Sequence, residues 1–277
     1  MSMLRGENIS IFIITYNEEI DIKQCLDSVR WSDDVVILDS FSTDKTLSIA
    51  HTFNNVRTFQ KEFENYSNQR NHGLKNINFK NPWVLILDAD ETCSIELKDE
   101  LLSEEFQKDR EPTVYSLRRK TFFANRWLKH NSMYNVWIDR LVKPQEVSFY
   151  GHVHEKLHYD GVSKKLSNDI NHYPFSKGLD HWVARRNRFS SLSAEEELSR
   201  GYKLEIRNAF SSDPVKFRQF LNAIYRKLPF RWIIFFIYNF FIKLCFLDGR
   251  RGVYYVLLES YYEFLIVCKT KYKGYTQ

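Results

Sequence analysis

Continuous apolar runs, each closed by polar residues, punctuate the N-terminal part of the chain. ISIFIITYN (9–17) is β-branched and apolar until its polar end, the pattern of a strand buried on both faces. EEIDIKQCLDSV (18–29) follows with Ile20, Ile22, Cys25, Leu26 and Val29 near helical spacing. DVVILDS (34–40) repeats the strand pattern, and TDKTLSIAHTF (43–53) can open a helix with Thr43 as its N-cap. VRTFQ (56–60) predicts a shorter strand, NYSNQRNHGLKNI (65–77) a helix, and WVLILDADE (83–91) another buried strand. Strands alternating with helical stretches predict βαβ units and a parallel sheet, hence an α/β fold.

After residue 111 the texture changes. TVYSLRRKTFFANRWL (113–128), DRLVKP (139–144), VSFYGHVHEKL (147–157) and DINHYPF (169–175) read as short, partly antiparallel strands with polar turns. KGLDHWVARRNRFSSLSAEEELSRG (177–201) predicts a long helix, with Ser176 as N-cap and Gly201 just past its end. Two long apolar segments follow, WIIFFIYNFFIKLCFL (232–247) and VYYVLLESYYEFLIVC (253–268), separated by DGRRG.

Composition adds three points. With 43% apolar residues, nine glycines and six prolines among 277, the chain can bury a sizeable core and is not low-complexity. Cys25, Cys93, Cys245 and Cys268 lack CxxC or zinc-type spacing and read as reduced thiols of a cytosolic protein; the first residues carry no secretory signal. The net charge of +5 is unevenly spread. Residues 200–277 hold 14 Lys/Arg against 5 Asp/Glu, a balance of +9, and the rest of the chain is at −4. No nucleic-acid-binding module is recognisable, and the acidic DADE opposes that use of the basic charge.

Ligands of parallel sheets sit beyond the carboxyl ends of the strands. Three such ends carry Asn17, Asp39 and the Asp88/Asp90 pair. Side chains two apart on a strand point the same way, so Asp88 and Asp90 would face one direction. Like charges resist desolvation together, and hard carboxylates with room for water suit Mg2+ or Mn2+. No Gly-rich phosphate cradle is present, so a metal held by Asp-x-Asp is the alternative means of managing a diphosphate. Solvated loop acids are the competing reading.

FIITYNEEIDIKQCLDSV, VVILDSFSTDKT, FENYSNQRNHGL and WVLILDADE together resemble the nucleotide-sugar domain of family 2 glycosyltransferases. GHVHEKL and FLDGRRG are similar to the lipopolysaccharide core glucosyltransferase-like branch, so the resemblance runs from residue 9 to about 268. It implies a GT-A fold, a Rossmann-like and mostly parallel sheet flanked by helices. Residues 1–110 would form its nucleotide-sugar half, 111–200 its acceptor half, and 201–277 a basic helical appendage. The resemblance also implies roles. Thr15, Tyr16, Asn17 and Glu18 would line the nucleotide pocket, Asp39 would hold the uracil or ribose, and Arg70 and Asn71 would border base and phosphates. Asp88 would contact ribose and metal-bound water, and Asp90 would coordinate the Mg2+ or Mn2+ bridging the diphosphate. The donor would be a UDP-sugar, the acceptor a glycan or lipid-linked glycan, and the reaction inverting.

An inverting displacement needs one general base. Glu155 in GHVHEKL is the first choice, with His154 assisting the diphosphate or metal; Asp139 is the competing base and Arg140 a phosphate or acceptor contact. Two histidines without further ligands at recognisable spacing do not make a zinc site. Relatives often carry a carboxylate where this chain has Asn135, and it lacks the ED and QxxRW elements of processive members, which points to one sugar per encounter. The 232–247 segment, with 16 residues and polar Asn239 and Lys243, is short of the roughly 20 needed to span a bilayer. Flanked by Arg226, Lys227, Arg231, Arg250 and Arg251, it suits an anionic membrane surface, and the resemblance implies acceptors made at the inner face of the bacterial cytoplasmic membrane. A pair of core helices packed on the catalytic domain is the other reading. Two further functions stay open: a nucleotidyltransferase on a similar fold, though no Gly-rich, basic loop follows the first strand, and a non-catalytic membrane scaffold.

Overall fold

The structure, a computed structural model, describes residues 9–109, 111–131, 134, 136–151, 155–200 and 213–272. The first elements follow the apolar pattern: β1 (Ile9–Thr15), α1 (Ile22–Ser28), β2 (Val35–Asp39), α2 (Thr46–Ala50), β3 (Val56–Gln60), α3 (Tyr66–Asn76) and β4 (Trp83–Asp88). After them come β5 (Glu91–Cys93), α4 (Ile95–Leu101), α5 (Glu104–Lys108), β6 (Pro112–Phe123), β7 (Arg126–Trp127) and β8 (Ile138–Val142). The run closes with β9 (Val147–Tyr150), β10 (Lys156–Tyr159) and β11 (Val162–His172).

Among the described residues the main sheet has the order β3-β2-β1-β4-β8-β6-β11-β5, with β7 paired to β6. β3, β2, β1 and β4 are mutually parallel; β8 runs antiparallel to both β4 and β6, and β5 antiparallel to β11. β9 and β10 form a separate antiparallel pair. β1, β2 and β4 are largely apolar because both their faces are covered. Ile9, Ile11, Ile13, Val35, Ile37, Leu85 and Leu87 point into one buried cluster, while Phe12, Val36, Leu38, Val84 and Ile86 point into the other. Each fully buried aliphatic side chain contributes roughly 1.5–3 kcal/mol, so these alternating positions hold the sheet between its layers.

Local signals explain several boundaries. Asn65 caps α3 by accepting from the Asn68 N–H, and Ser94 and Ser103 do the same for α4 and α5. Thr43, expected to cap the second helix, does not: α2 starts at Thr46, whose N–H donates to Asp44. The short acidic loop supplies the cap from its own side chain two residues upstream.

The chain divides into two units, one formed by residues up to 127 with 133–177, the other by 128–132 with 178 onward. The second is helical: α6 (Gly178–Arg200), α7 (Pro214–Lys227), α8 (Arg231–Ile237) and α9 (Gly249–Lys271). α6 starts two residues beyond Ser176, and Gly201 lies outside the described residues. A π turn (Tyr238–Ile242) and a 3-10 turn (Cys245–Asp248) join α8 to α9. DGRRG, read as a separator, instead opens α9, with Gly252 so close to the Cys245 carbonyl that a Cβ would meet it at 2.1 Å. Asp248 ties the junction to His130, accepting from its backbone N–H at 2.8 Å and facing its Nδ1 at 3.0 Å.

α3 reaches the sheet through Gly73, where a Cβ would meet the buried Phe12 ring at 2.0 Å. Gly73→Ala should therefore destabilise the protein by about 1–3 kcal/mol through overpacking, measured as a lower urea midpoint with unchanged slope.

Candidate active site

The carboxyl ends of β1, β2 and β4 gather the polar residues of the apolar runs. Thr15 closes β1 and donates to Asp39 at 2.8 Å. Asp39, fully buried at the end of β2, also accepts from the Ser42 N–H at 2.7 Å and Ser42 Oγ at 2.5 Å. Ser42 Oγ accepts from the Asn17 N–H, and Asn17 Oδ1 from the Thr43 N–H at 2.8 Å. Asn17 adopts φ +54°, a left-handed conformation asparagine tolerates, which turns the chain out of β1. Asp39 and Asn17 thus bind two loops together, leaving the Tyr16 ring exposed at the rim.

Beside this loop, Glu18 pairs with Lys177 Nζ at 2.7 Å, and Lys177 also donates to the Asn17 carbonyl at 2.7 Å. Burial outweighs the lysine and lifts the Glu18 carboxyl to about 7. No local pattern in the sequence marked Lys177, which arrives from the far end of the unit.

The centre of the site is an ion cluster. Asp88, the last residue of β4, pairs through Oδ1 with Arg70 Nη2 at 2.7 Å and through Oδ2 with Arg140 Nη2 at 2.8 Å. Burial opposes its ionisation, but Arg140 and Arg70 outweigh that and hold Asp88 well below the usual carboxylate range. Arg70 also pairs with Glu155, and its guanidinium lies 5.5 Å from the Phe149 ring. Arg140 continues to Glu91 at 3.2 Å, Arg119 meets the same oxygen at 3.2 Å, and Glu91 accepts from the Asp88 N–H at 3.0 Å.

A β-bulge helps aim Arg140. Tyr115 pairs with Leu141 and Ser116 with Asp139, so Arg140 has no partner in the β6–β8 ladder, and such an irregularity redirects a side chain. Asp139 is occupied elsewhere, accepting from Ser116 Oγ at 2.6 Å. Asn71, adjacent to Arg70, exchanges two hydrogen bonds with the Phe149 backbone and straps β9 to α3.

Asp88 and Asp90, expected to face one cation together, have different surroundings. β4 ends at Asp88, so strand alternation does not carry through to Asp90 in the turn before β5. Asp90 Oδ2 lies 3.5 Å from His172 Nε2 at the end of β11, and its carbonyl accepts from the Tyr173 N–H. His172 Nδ1 is buried without a hydrogen-bond partner among the described residues. His154 lies outside the described residues. Among the described residues no three His, Cys, Asp or Glu side chains form a self-sufficient metal cage.

Glu155, held by Arg70, has its carboxyl raised by burial against the lowering effect of that guanidinium. The structure therefore brings Arg70, Asp88, Arg140 and Glu155 together with Glu91 and Arg119. Glu91 was visible only as the last letter of DADE, and Arg119 only as one basic residue of LRRK.

This sheet, with parallel strands delivering carboxylates to one edge and a mixed second half, has the GT-A architecture. Glycosyl transferase family 2 matches residues 10–170, and the chain belongs to that family. It is 27% identical to an uncharacterized glycosyltransferase of Rickettsia typhi, covering 96% of this chain and 87% of that one. It is also 24% identical to the lipopolysaccharide core biosynthesis glycosyltransferase LpsC of Rhizobium meliloti, over 79% of this chain and 83% of the relative. The crystal structure of S. aureus TarS 1–349 in complex with UDP-GlcNAc aligns with a TM-score of 0.46 at 15% identity, over 98% of this chain and 93% of that one.

The raised Glu18 carboxyl has a consequence for stability. Its folded pKa of about 7 lies above the ordinary 4.5, so the folded protein binds the extra proton between those values. Stability should fall as pH rises from 4.5 to about 7, by up to about 3 kcal/mol, and Glu18→Gln should remove that component. Urea unfolding of both proteins across this range measures the difference.

Proposed function

We propose that this glycosyltransferase moves one sugar per encounter from a UDP-sugar to a glycan or lipid-linked acceptor of the cell surface, with inversion. The observation that carries the reading is the Glu155–Arg70–Asp88–Arg140 cluster at the carboxyl ends of the parallel strands. It combines cations suited to a diphosphate with a carboxylate whose affinity for protons is raised. The likeness to LpsC supports an acceptor of the lipopolysaccharide-core type.

Tyr16 offers an exposed ring to the uracil, and the loop tied by Asp39 borders the ribose. Arg70 and Arg140 exchange part of their carboxylate pairing for phosphate oxygens as the donor enters. The acceptor hydroxyl attacks the anomeric carbon opposite the diphosphate and gives its proton to Glu155, while the bond to the diphosphate oxygen breaks. Arg70 orients Glu155 for that transfer.

For Mg2+ or Mn2+, Asp90 and His172 are the fitting ligands. A carboxylate oxygen and an imidazole nitrogen 3.5 Å apart suit an ion that takes few protein ligands and completes its shell from phosphates and water. Asp88, with both oxygens on guanidinium groups, fits a positioning role better. When bound, the ion offsets charge developing on the departing nucleotide.

Glu155→Gln should lower kcat by about 10²–10⁴-fold and leave UDP affinity, measured by calorimetry, nearly unchanged. If the rate persists, Glu155 is not the base and Asp139 becomes the leading candidate. Asp90→Ala should abolish Mn2+-stimulated UDP-sugar hydrolysis and weaken Mn2+ binding in a calorimetric titration; hydrolysis at the normal rate removes Asp90 from the metal site.

A further inference from the structure

Within the helical unit, α8 and its π turn carry an inverted pattern of burial. In α8 and its π turn the most buried side chains are Arg231 and Asn239, 2% and 1% exposed, whereas Phe241 and Ile242 are 62% and 67% exposed. Arg231 is held inside by Glu197 at 3.0 Å and Glu263 at 2.9 Å, and Asn239 donates to the Phe235 carbonyl. α9 packs one face inward through Tyr255, Val256, Tyr262 and Ile266 and leaves the opposite face apolar and exposed. Its buried polar residues are Glu259, paired with Arg186 at 2.5 Å, and Ser260, donating to the Val256 carbonyl at 2.7 Å. Tyr254, Leu257, Tyr261 and Phe264 are exposed at helical spacing. Between the helices Trp232, Phe236, Leu257, Tyr261 and Phe264 line an open apolar cleft of about 340 Å³.

Water does not favour a helix pair that leaves so many aliphatic and aromatic side chains exposed on one side, and an apolar surface of this extent marks an interaction site. Charge selects the occupant. Arg250, Arg251 and Lys271 are exposed on α9 and Lys227 at the end of α7, and residues 200–277 carry a balance of +9. A second copy would bring that charge against itself, whereas anionic headgroups complement it. Exposed Tyr238, Tyr254 and Tyr261 add rings with an apolar body and a polar tip, suited to the boundary between acyl chains and water.

We propose that the α8–α9 face is a membrane-interface surface that seats the enzyme on an anionic phospholipid bilayer, with Phe241 and Ile242 entering the acyl boundary. The segment lies in the interface and does not cross it. Among the described residues no single helix is long and apolar enough to cross; the Arg231–Ile242 and Cys245–Lys271 segments reach that length and composition only as a pair, and the 71° bend at their break, with basic residues on both sides, favours lying in the interface. Basic residues beside the break sit at headgroup level.

The test is co-sedimentation of the full chain with phosphatidylglycerol/phosphatidylcholine vesicles and with phosphatidylcholine vesicles, at low and high salt. Binding should favour the anionic vesicles and weaken with salt. Phe241→Ser with Ile242→Ser should reduce it roughly tenfold or more. Arg250→Glu with Arg251→Glu should reduce it at least about tenfold on anionic vesicles alone. Both pairs are exposed, so folding by circular dichroism and UDP-sugar hydrolysis should be unchanged, which separates this proposal from the transfer reaction. Absent binding, or equal binding by wild type and both variants, overturns it. A concentration-dependent dimer dispersed by the serine pair also overturns it, since a second copy then covers the face.

Discussion

Everything at the strand ends depends on three carboxylates and three guanidinium groups neutralising one another. Asp88, Glu91 and Glu155 supply the negative charge; Arg70, Arg119 and Arg140 supply the positive. Removing one partner from such a cluster leaves a poorly solvated charge, an outcome worth several kcal/mol, so its members constrain one another's positions. That constraint fixes the edge of β4 and orders Glu155 beyond β9. It also leaves the three cations close to balanced by the three carboxylates.

The fold delivers these groups by different local devices. Parallel strands with both faces buried bring Thr15, Asp39 and Asp88 to one edge. α3 contributes Arg70 because Gly73 lets the helix lie directly on Phe12. A bulge frees Arg140 from its ladder, and Lys177 returns from beyond β11 to meet Glu18. In the helical unit, buried Trp182, Val256, Tyr262 and Ile266 and ionic pairs such as Arg231–Glu197 hold the helices together, while further apolar side chains lie exposed on α8 and α9.

Much of the first half was readable because its rule is local. A strand buried on both faces must be apolar at every position, and helical spacing between such runs implies crossovers, so the sheet and its polar strand ends followed from periodicity. The helices after Ser94 and Ser103 were missed; these segments are short and charged, and their serine caps decide them. The site was readable in parts. Asp88, Arg70, Arg140 and Glu155 were chosen for their motifs, but their mutual pairing was not foreseen, nor were Glu91, Arg119, His172 and Lys177.

Asp34 and Asp39 show where local reading stops. They bracket the same apolar run, and both are buried acids. Asp34 is bound by Ser10, Arg57 and the Lys80 N–H at the amino end of the strand, away from the site; Asp39 sits at the carboxyl end beside it. The order of residues determined the strands, their direction and which acids stand at each end, because those depend on neighbours a few positions apart. The tertiary structure alone decided which cation meets which carboxylate and which helix faces turn outward. Those pairings join side chains tens of residues apart, and their energy exists only once the chain has closed around them.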